Sequence, residues 1–236
     1  MTTHFTSGVT NVSSTGSEGL VKQPSKHKYH DYFNDFDTYL ASDWTITTTE
    51  DGTGSATEAL ADGDGGLLLL TNAAGDNDLD FLQLVKEGFK YEAGKQLGFY
   101  SRFKTSDATQ SDIVCGLQIT DTTPLDVSDG VFFIKSDGST TITFVVEKNG
   151  TQSTLDLPNA VADDTFMTVG YLYNPKDQKF HVYQNNVLAG TVVNTNAPDD
   201  EELTVSFGIQ NGAAAAKTMT IDYVHALKER TSSTEL

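Results

Sequence analysis

TFMTVGYLYNPKDQKFHVYQNNVLAGTVV, residues Thr165 to Val193, reads as three strands joined by two short turns. Val169, Tyr171 and Tyr173 alternate with small or apolar neighbours. Asn174-Pro175-Lys176-Asp177 then supplies a turn, because proline presets φ while Asn and Asp side chains hydrogen-bond their own backbone. Phe180 and Val182 resume the alternation. Asn185-Asn186 offers the two residues tolerant of positive φ that a two-residue hairpin loop requires, and Val187 to Val192 runs back.

Working outward, the same period of two recurs. Further strands are expected at Trp44 to Thr49, Leu67 to Thr71, Asp80 to Val85, Leu97 to Lys104, Asp112 to Thr120, Val131 to Lys135, Ile142 to Lys148, Thr151 to Leu157, Leu203 to Gln210 and Thr218 to Leu227. Leu97, Phe99 and Phe103 oppose Gly98, Tyr100 and Arg102; Leu203, Val205, Phe207 and Ile209 oppose Thr204, Ser206, Gly208 and Gln210; Met219, Ile221 and Tyr223 repeat the pattern. One wet face and one buried face is the signature of antiparallel sheets. Asn149-Gly150 marks another hairpin, and no long helical periodicity interrupts the series. The expectation is an all-β, antiparallel two-sheet β-sandwich, with Phe99, Leu117, Val205, Phe207 and Ile221 in its core and Trp44 inside.

The 236 residues suit one such domain with tails: an extended N-terminal arm at 1–28, a sandwich at 29–230 and a short tail at 231–236. A net charge of -18 excludes nucleic acid as partner and disfavours anionic membranes. No secretory signal is read, and the most apolar run, Leu67 to Leu70, is far short of the ~20 residues a membrane span needs. The one cysteine, Cys115, shares a strand face with Ile113 and Leu117 and is expected as a buried apolar residue rather than a nucleophile.

The arm is rich in Ser, Thr and Gly and cannot bury a core of its own. Its anchors for a partner are Leu20 and Val21 with the basic residues Lys22, Lys26 and Lys28. Between Lys28 and Lys86 there is no Lys or Arg, yet a dozen acidic residues fall there. Asp62-Gly63-Asp64 and Asp76-Asn77-Asp78-Leu79-Asp80 have the alternate carboxylates of calcium loops, but neither completes an EF-hand pattern, and no metal or cofactor is assigned.

Catalytic signatures are missing too. The five histidines show no metal-ligand spacing, there is no Gly-x-Ser-x-Gly elbow, and no phosphate-cradling loop occurs. No catalytic residue is therefore named. Tyr100, Tyr171, Tyr173 and Tyr183 with Asn185 and Asn186 could stack on and hydrogen-bond a sugar, although strand tyrosines are commonly half-buried sheet residues.

The order DYFNDFD, Trp44, GGLLLLT, LGFYSRFKT, GVFFIKS, the opening meander and MTIDYVHALKER, from Asp31 to Arg230, resembles the concanavalin-A-like lectin and glucanase jelly roll, its laminin-G-like branch in particular. More loosely, an arm before an acidic body resembles virion structural proteins of tailed bacteriophages. The first resemblance implies a jelly roll that binds carbohydrate or hydrolyses glycosides. Its retaining hydrolases carry Glu-x-Asp-x-Glu or Glu-x-Asp-x-x-Glu, which aims two carboxylates into one cleft; that run is missing here, and Glu201-Glu202 would point to opposite faces. The second implies a non-enzymatic capsid-decoration protein on the virion surface, anchored through its arm to a capsid or other virion protein, with homo-oligomers open to it. The alternative is a carbohydrate-binding module with a surface glycan as partner, and behind it a glycoside hydrolase.

Overall fold

The computed structural model describes residues 26, 28–63 and 65–230. Leu20, Val21, Lys22, Asp64 and the tail at 231–236 lie outside the described residues. Sixteen strands are present among those described: β1 Tyr29–Asn34, β2 Trp44–Thr49, β3 Thr57–Ala61, β4 Leu67–Thr71, β5 Leu79–Leu84, β6 Phe89–Lys90, β7 Leu97–Thr105, β8 Ser111–Gln118, β9 Gly130–Lys135, β10 Thr143–Lys148, β11 Thr151–Asp156, β12 Met167–Asn174, β13 Lys179–Gln184, β14 Val187–Val193, β15 Glu202–Asn211 and β16 Thr218–Glu229.

They form two sheets in which every pairing is antiparallel. The first runs β14-β13-β12-β7-β16-β4-β3, with β1 beside β16; the second runs β11-β10-β9-β8-β15-β5-β2, with β6 beside β15. The opening meander is β12-β13-β14, and its Asn185 and Asn186 take φ of 50° and 64°, as a tight hairpin demands. Asn149-Gly150 closes β10 onto β11 in the same way, at φ of 50° and 72°.

The alternation expected from sequence delivers the core. Phe99, Cys115, Leu117, Val205, Phe207 and Ile221 are all fully buried between the sheets. Trp44 and Phe36 both pack edge-on against Phe207, at centroid distances of 5.0 and 5.9 Å. Around Tyr171 sit Phe99, Phe133, Phe144 and Phe180.

Three strands escape the sequence reading. β1 forms against the distant β16, β3 is an edge strand whose Leu60 is half-exposed, and β6 is two residues long. A second apolar layer of Phe81, Val114, Val127, Phe132 and Val145 lies on the outer face of the β8-β9-β15 sheet. The 119–129 loop belongs to this layer, held by Gln83, whose Nε2 donates to Ile119 O and whose Oε1 accepts from Asp121 N, both at 3.0 Å.

Lys26 pairs with Asp31 at 2.6 Å and Lys28 with Glu229 at 3.4 Å, so both engage carboxylates of the sandwich itself. Replacing Phe207 with Ala should remove the shared partner of Trp44 and Phe36. A loss of about 3–5 kcal/mol in urea unfolding is expected, with a shift in Trp44 fluorescence of the folded protein.

Candidate functional site

Side chains paired across antiparallel strands point to the same face, so register alone assembles rows across a sheet. One row on the outer face of the first sheet runs Leu188, Tyr183, Gly170, Tyr100, His225, Phe33, one residue from each of β14, β13, β12, β7, β16 and β1. At ~4.8 Å between strands it spans roughly 24 Å.

Gly170 is required in that row. A Cβ there would stand 2.1 Å from Cδ1 of Tyr100, so the Tyr100 ring lies directly over the β12 backbone. The ring meets Tyr183 at 6.4 Å with a 30° tilt. Tyr100 Oη is buried and has no hydrogen-bond partner among the described residues. Burial, then Tyr183 and Tyr223, raise its pKa, so the phenol stays protonated and able to donate.

Both ends of the row are open, at Leu188 and at Phe33, and the β1 end is the aromatic one. Phe33 is 55% exposed, lies 6.2 Å from Tyr223 at 31°, and meets His225 edge-on at 5.6 Å. Tyr223 and His225 are half-buried, so the three rings form a partly exposed aromatic platform. Polar groups fringe it. Arg102 is paired opposite Tyr223, is ion-paired to Asp222 and lies over the Phe166 ring at 4.1 Å. Asp31, opposite Leu227, holds Lys26.

The platform depends on a register shift between Ile221 and Tyr223. Met219 and Ile221 face the core, but Val224 and Ala226 face it next, so Tyr223 turns outward; the expectation that Tyr223 continues the Met219-Ile221 face is corrected by this bulge. Phe33, Tyr223 and His225 were all missed as a set. The signal was available in the spacing: apolar residues at 219, 221, 224 and 226 skip one position, which a regular strand cannot do.

Of the tyrosines offered by sequence, Tyr100 and Tyr183 join the row. Tyr171 and Tyr173 do not: both are fully buried on the inner face, and their hydroxyls donate to Val131 O at 3.0 Å and Ala93 O at 2.8 Å. Asn185 Oδ1 accepts from Thr168 N at 3.0 Å and serves the hairpin.

The acidic clusters disperse rather than converge. Asp76 is exposed, while Asp78 is buried and accepts backbone N–H bonds from Asp51, Gly52 and Gly75. Burial works against the Asp78 charge, but the three bonds outweigh it and hold the carboxyl below its usual range. Asp80 points inward from β5, and burial followed by the Glu58 and Glu50 charges pushes it up to about 8. Among the described residues no group of three or more His, Cys, Asp or Glu side chains is placed to hold a metal ion.

No protein-family model matches the chain, and no curated protein sequence matches it. Solved structures do match. An endo-1,3-beta-glucanase from Streptomyces sioyaensis superposes with a TM-score of 0.59 at 14% identity, covering 86% of this chain and 98% of that one. Peanut lectin gives 0.56 at 10%, covering 87% and 100%, and the potassium-bound carbohydrate recognition domain of Emp46p gives 0.57 at 13%, covering 82% and 94%. The fold is the concanavalin-A-like jelly roll. At these identities the likeness carries the fold alone, and what this jelly roll binds has to be argued from its own residues.

Within the platform, burial lowers the pKa of His225, opposed by Asp31; burial also lowers that of His30, which packs on Phe89 at 5.0 Å from the inner face of β1. A depressed imidazole pKa contributes stability that is present above the ordinary value near 6.5 and is lost as pH falls through the folded value. In urea melts at pH 7, 6 and 5, wild type should therefore lose stability relative to His225→Asn as the pH falls, a difference that removes the opposite contribution of Asp80, whose raised pKa is common to both proteins.

Proposed function

We propose that this protein is a carbohydrate-binding domain that takes a saccharide on the outer face of the first sheet, at the platform of Phe33, Tyr223 and His225. The observation that carries the reading is an exposed aromatic ring, Phe33, in contact with two further rings and continuous with Tyr100 and Tyr183 along one register row. Sugar rings present C–H faces that stack on aromatic faces, and their hydroxyls need donors and acceptors at the rim. Arg102 stands at that rim, partly accessible and ion-paired to the buried Asp222. The similar structures support the reading, since two of the three are a lectin and a carbohydrate recognition domain.

The role proposed is binding without turnover. The outer face of the other sheet is filled by Phe81, Val114, Phe132 and Val145 with Val127 of the 119–129 loop, and this apolar layer stands where a cleft over that sheet would lie. The virion-surface placement is a separate reading that rests on the sequence resemblance; stoichiometric presence of the chain in purified particles tests it.

Polysaccharide retention and glycan-array binding test the platform. Phe33→Ala, at an exposed position, should abolish binding while leaving the unfolding midpoint within about a degree of wild type. Gly170→Val should weaken binding by driving the Tyr100 ring out of its seat. Binding that survives both Phe33→Ala and Tyr223→Ala would place the site elsewhere, and release of reducing ends from a bound polysaccharide would overturn the non-catalytic role.

A further inference from the structure

Asp80 occupies an unusual place at the edge of the sandwich interior. It is paired with Ile209 on β15 and with Thr48 on β2, so it points toward the core with Ile209. It is fully buried, and neither Oδ1 nor Oδ2 has a hydrogen-bond partner among the described residues. On the inward face of the opposite sheet stands Glu58 of β3, paired with buried Leu70, and it is the acid whose side chain and charge act most strongly on Asp80. Tyr39 Oη lies 3.5 Å from Glu58 Oε2. None of the ion pairs among the described residues includes Asp80, Glu58 or Glu50.

Two carboxylates side by side in an apolar surrounding cannot both stay charged without a third group. A single shared proton joins one oxygen of each, which would still leave one Asp80 oxygen sealed and unpartnered. A cation gripped by both oxygens of Asp80 satisfies them together. The donors on offer are all oxygens, the two acids carry two negative charges once a cation displaces the proton that burial favours on Asp80, and they come from strands of opposite sheets. Such a set suits a hard divalent ion with tolerant coordination rather than a soft metal or one that demands a tight octahedron. Glu58 and Tyr39 are only half-buried, so an ion has a way in from the rim.

We propose that Asp80 and Glu58, with Tyr39 Oη, hold a calcium-class divalent cation between β3 and β5, where it ties the edge of one sheet to the other. This site is independent of the saccharide platform. It goes beyond the Asp76 to Asp80 loop considered from sequence, because Asp76 and Asp78 take no part and the second carboxylate comes from a strand that sequence reading missed.

The test uses the full chain, stripped with EDTA and dialysed into 0.1 M KCl. Adding CaCl2 to about ten times its dissociation constant should raise the unfolding midpoint by about 3 °C. Tb3+, a luminescent stand-in for Ca2+, should show emission sensitised by the adjacent Tyr39 phenol. Asp80→Asn and Glu58→Gln keep the side-chain shape and should each remove both effects, while Asp76→Asn, at an exposed position, should leave them intact. An equal Ca2+ shift in wild type and Asp80→Asn would reduce the effect to diffuse screening of the acidic surface and overturn the proposal. Absence of both the Ca2+ shift and Tb3+ emission in wild type would also overturn it, leaving a shared proton as the neutralising group.

Discussion

β16 pairs with β7 along one side, and along the other it meets β4 over Thr218 to Ile221 and then β1 from Val224 onward. Both halves must bury an apolar face, and their apolar residues are out of step. The extra residue at the register shift before Tyr223 resolves this: Met219 and Ile221 pack inward in one half, Val224 and Ala226 in the other. A strand of strict period two would bury Tyr223 and push Val224 and Ala226 into solvent. The core of the first sheet and the aromatic platform on its outside are thus set by the same local irregularity.

Much of the fold was legible because most strands follow a simple rule. β7 and β15 keep their phase without interruption, and Phe99, Val205 and Phe207 lie where alternation puts them. The two Asn-rich and Asn-Gly turns were readable for a similar reason, since positive φ at 149, 150, 185 and 186 is a demand that few residues meet. Much of what escaped depends on a partner distant in sequence. β1 is a strand because β16 is there to pair with it, and nothing in YHDYFN alone requires this. Tyr171 and Tyr173 resemble Tyr100 in sequence, yet they lie on the opposite face of neighbouring strands and bond backbone carbonyls 40 and 80 residues away.

The surplus of acid is handled by two different means. Asp31, Asp222 and Glu229 are matched by Lys26, Arg102 and Lys28, all of which come from outside the stretch that lacks basic residues. Asp78 is matched by backbone N–H groups instead, which bind two loops, at Asp51-Gly52 and Gly75, to one buried carboxylate. Asp80 is matched by neither. Partly exposed pairs such as Lys26 with Asp31 are worth little once screened, so the buried carboxylates bear more on the shape of this end of the sandwich than the ion pairs do.

The antiparallel pairing of β1 with β16 sets Tyr29 beside Glu229, and Arg230 N donates to Lys28 O at 2.8 Å. Tension applied between residues 29 and 229 would therefore load one pair of backbone hydrogen bonds at a time, opening the seam like a zipper rather than shearing it. Five pairs in from that end lies Phe33 opposite His225. Peeling from that end would dismantle the platform while the interior around Phe207 and Tyr171 was still closed, so a ligand held there as proposed would be released by a force too small to unfold the sandwich.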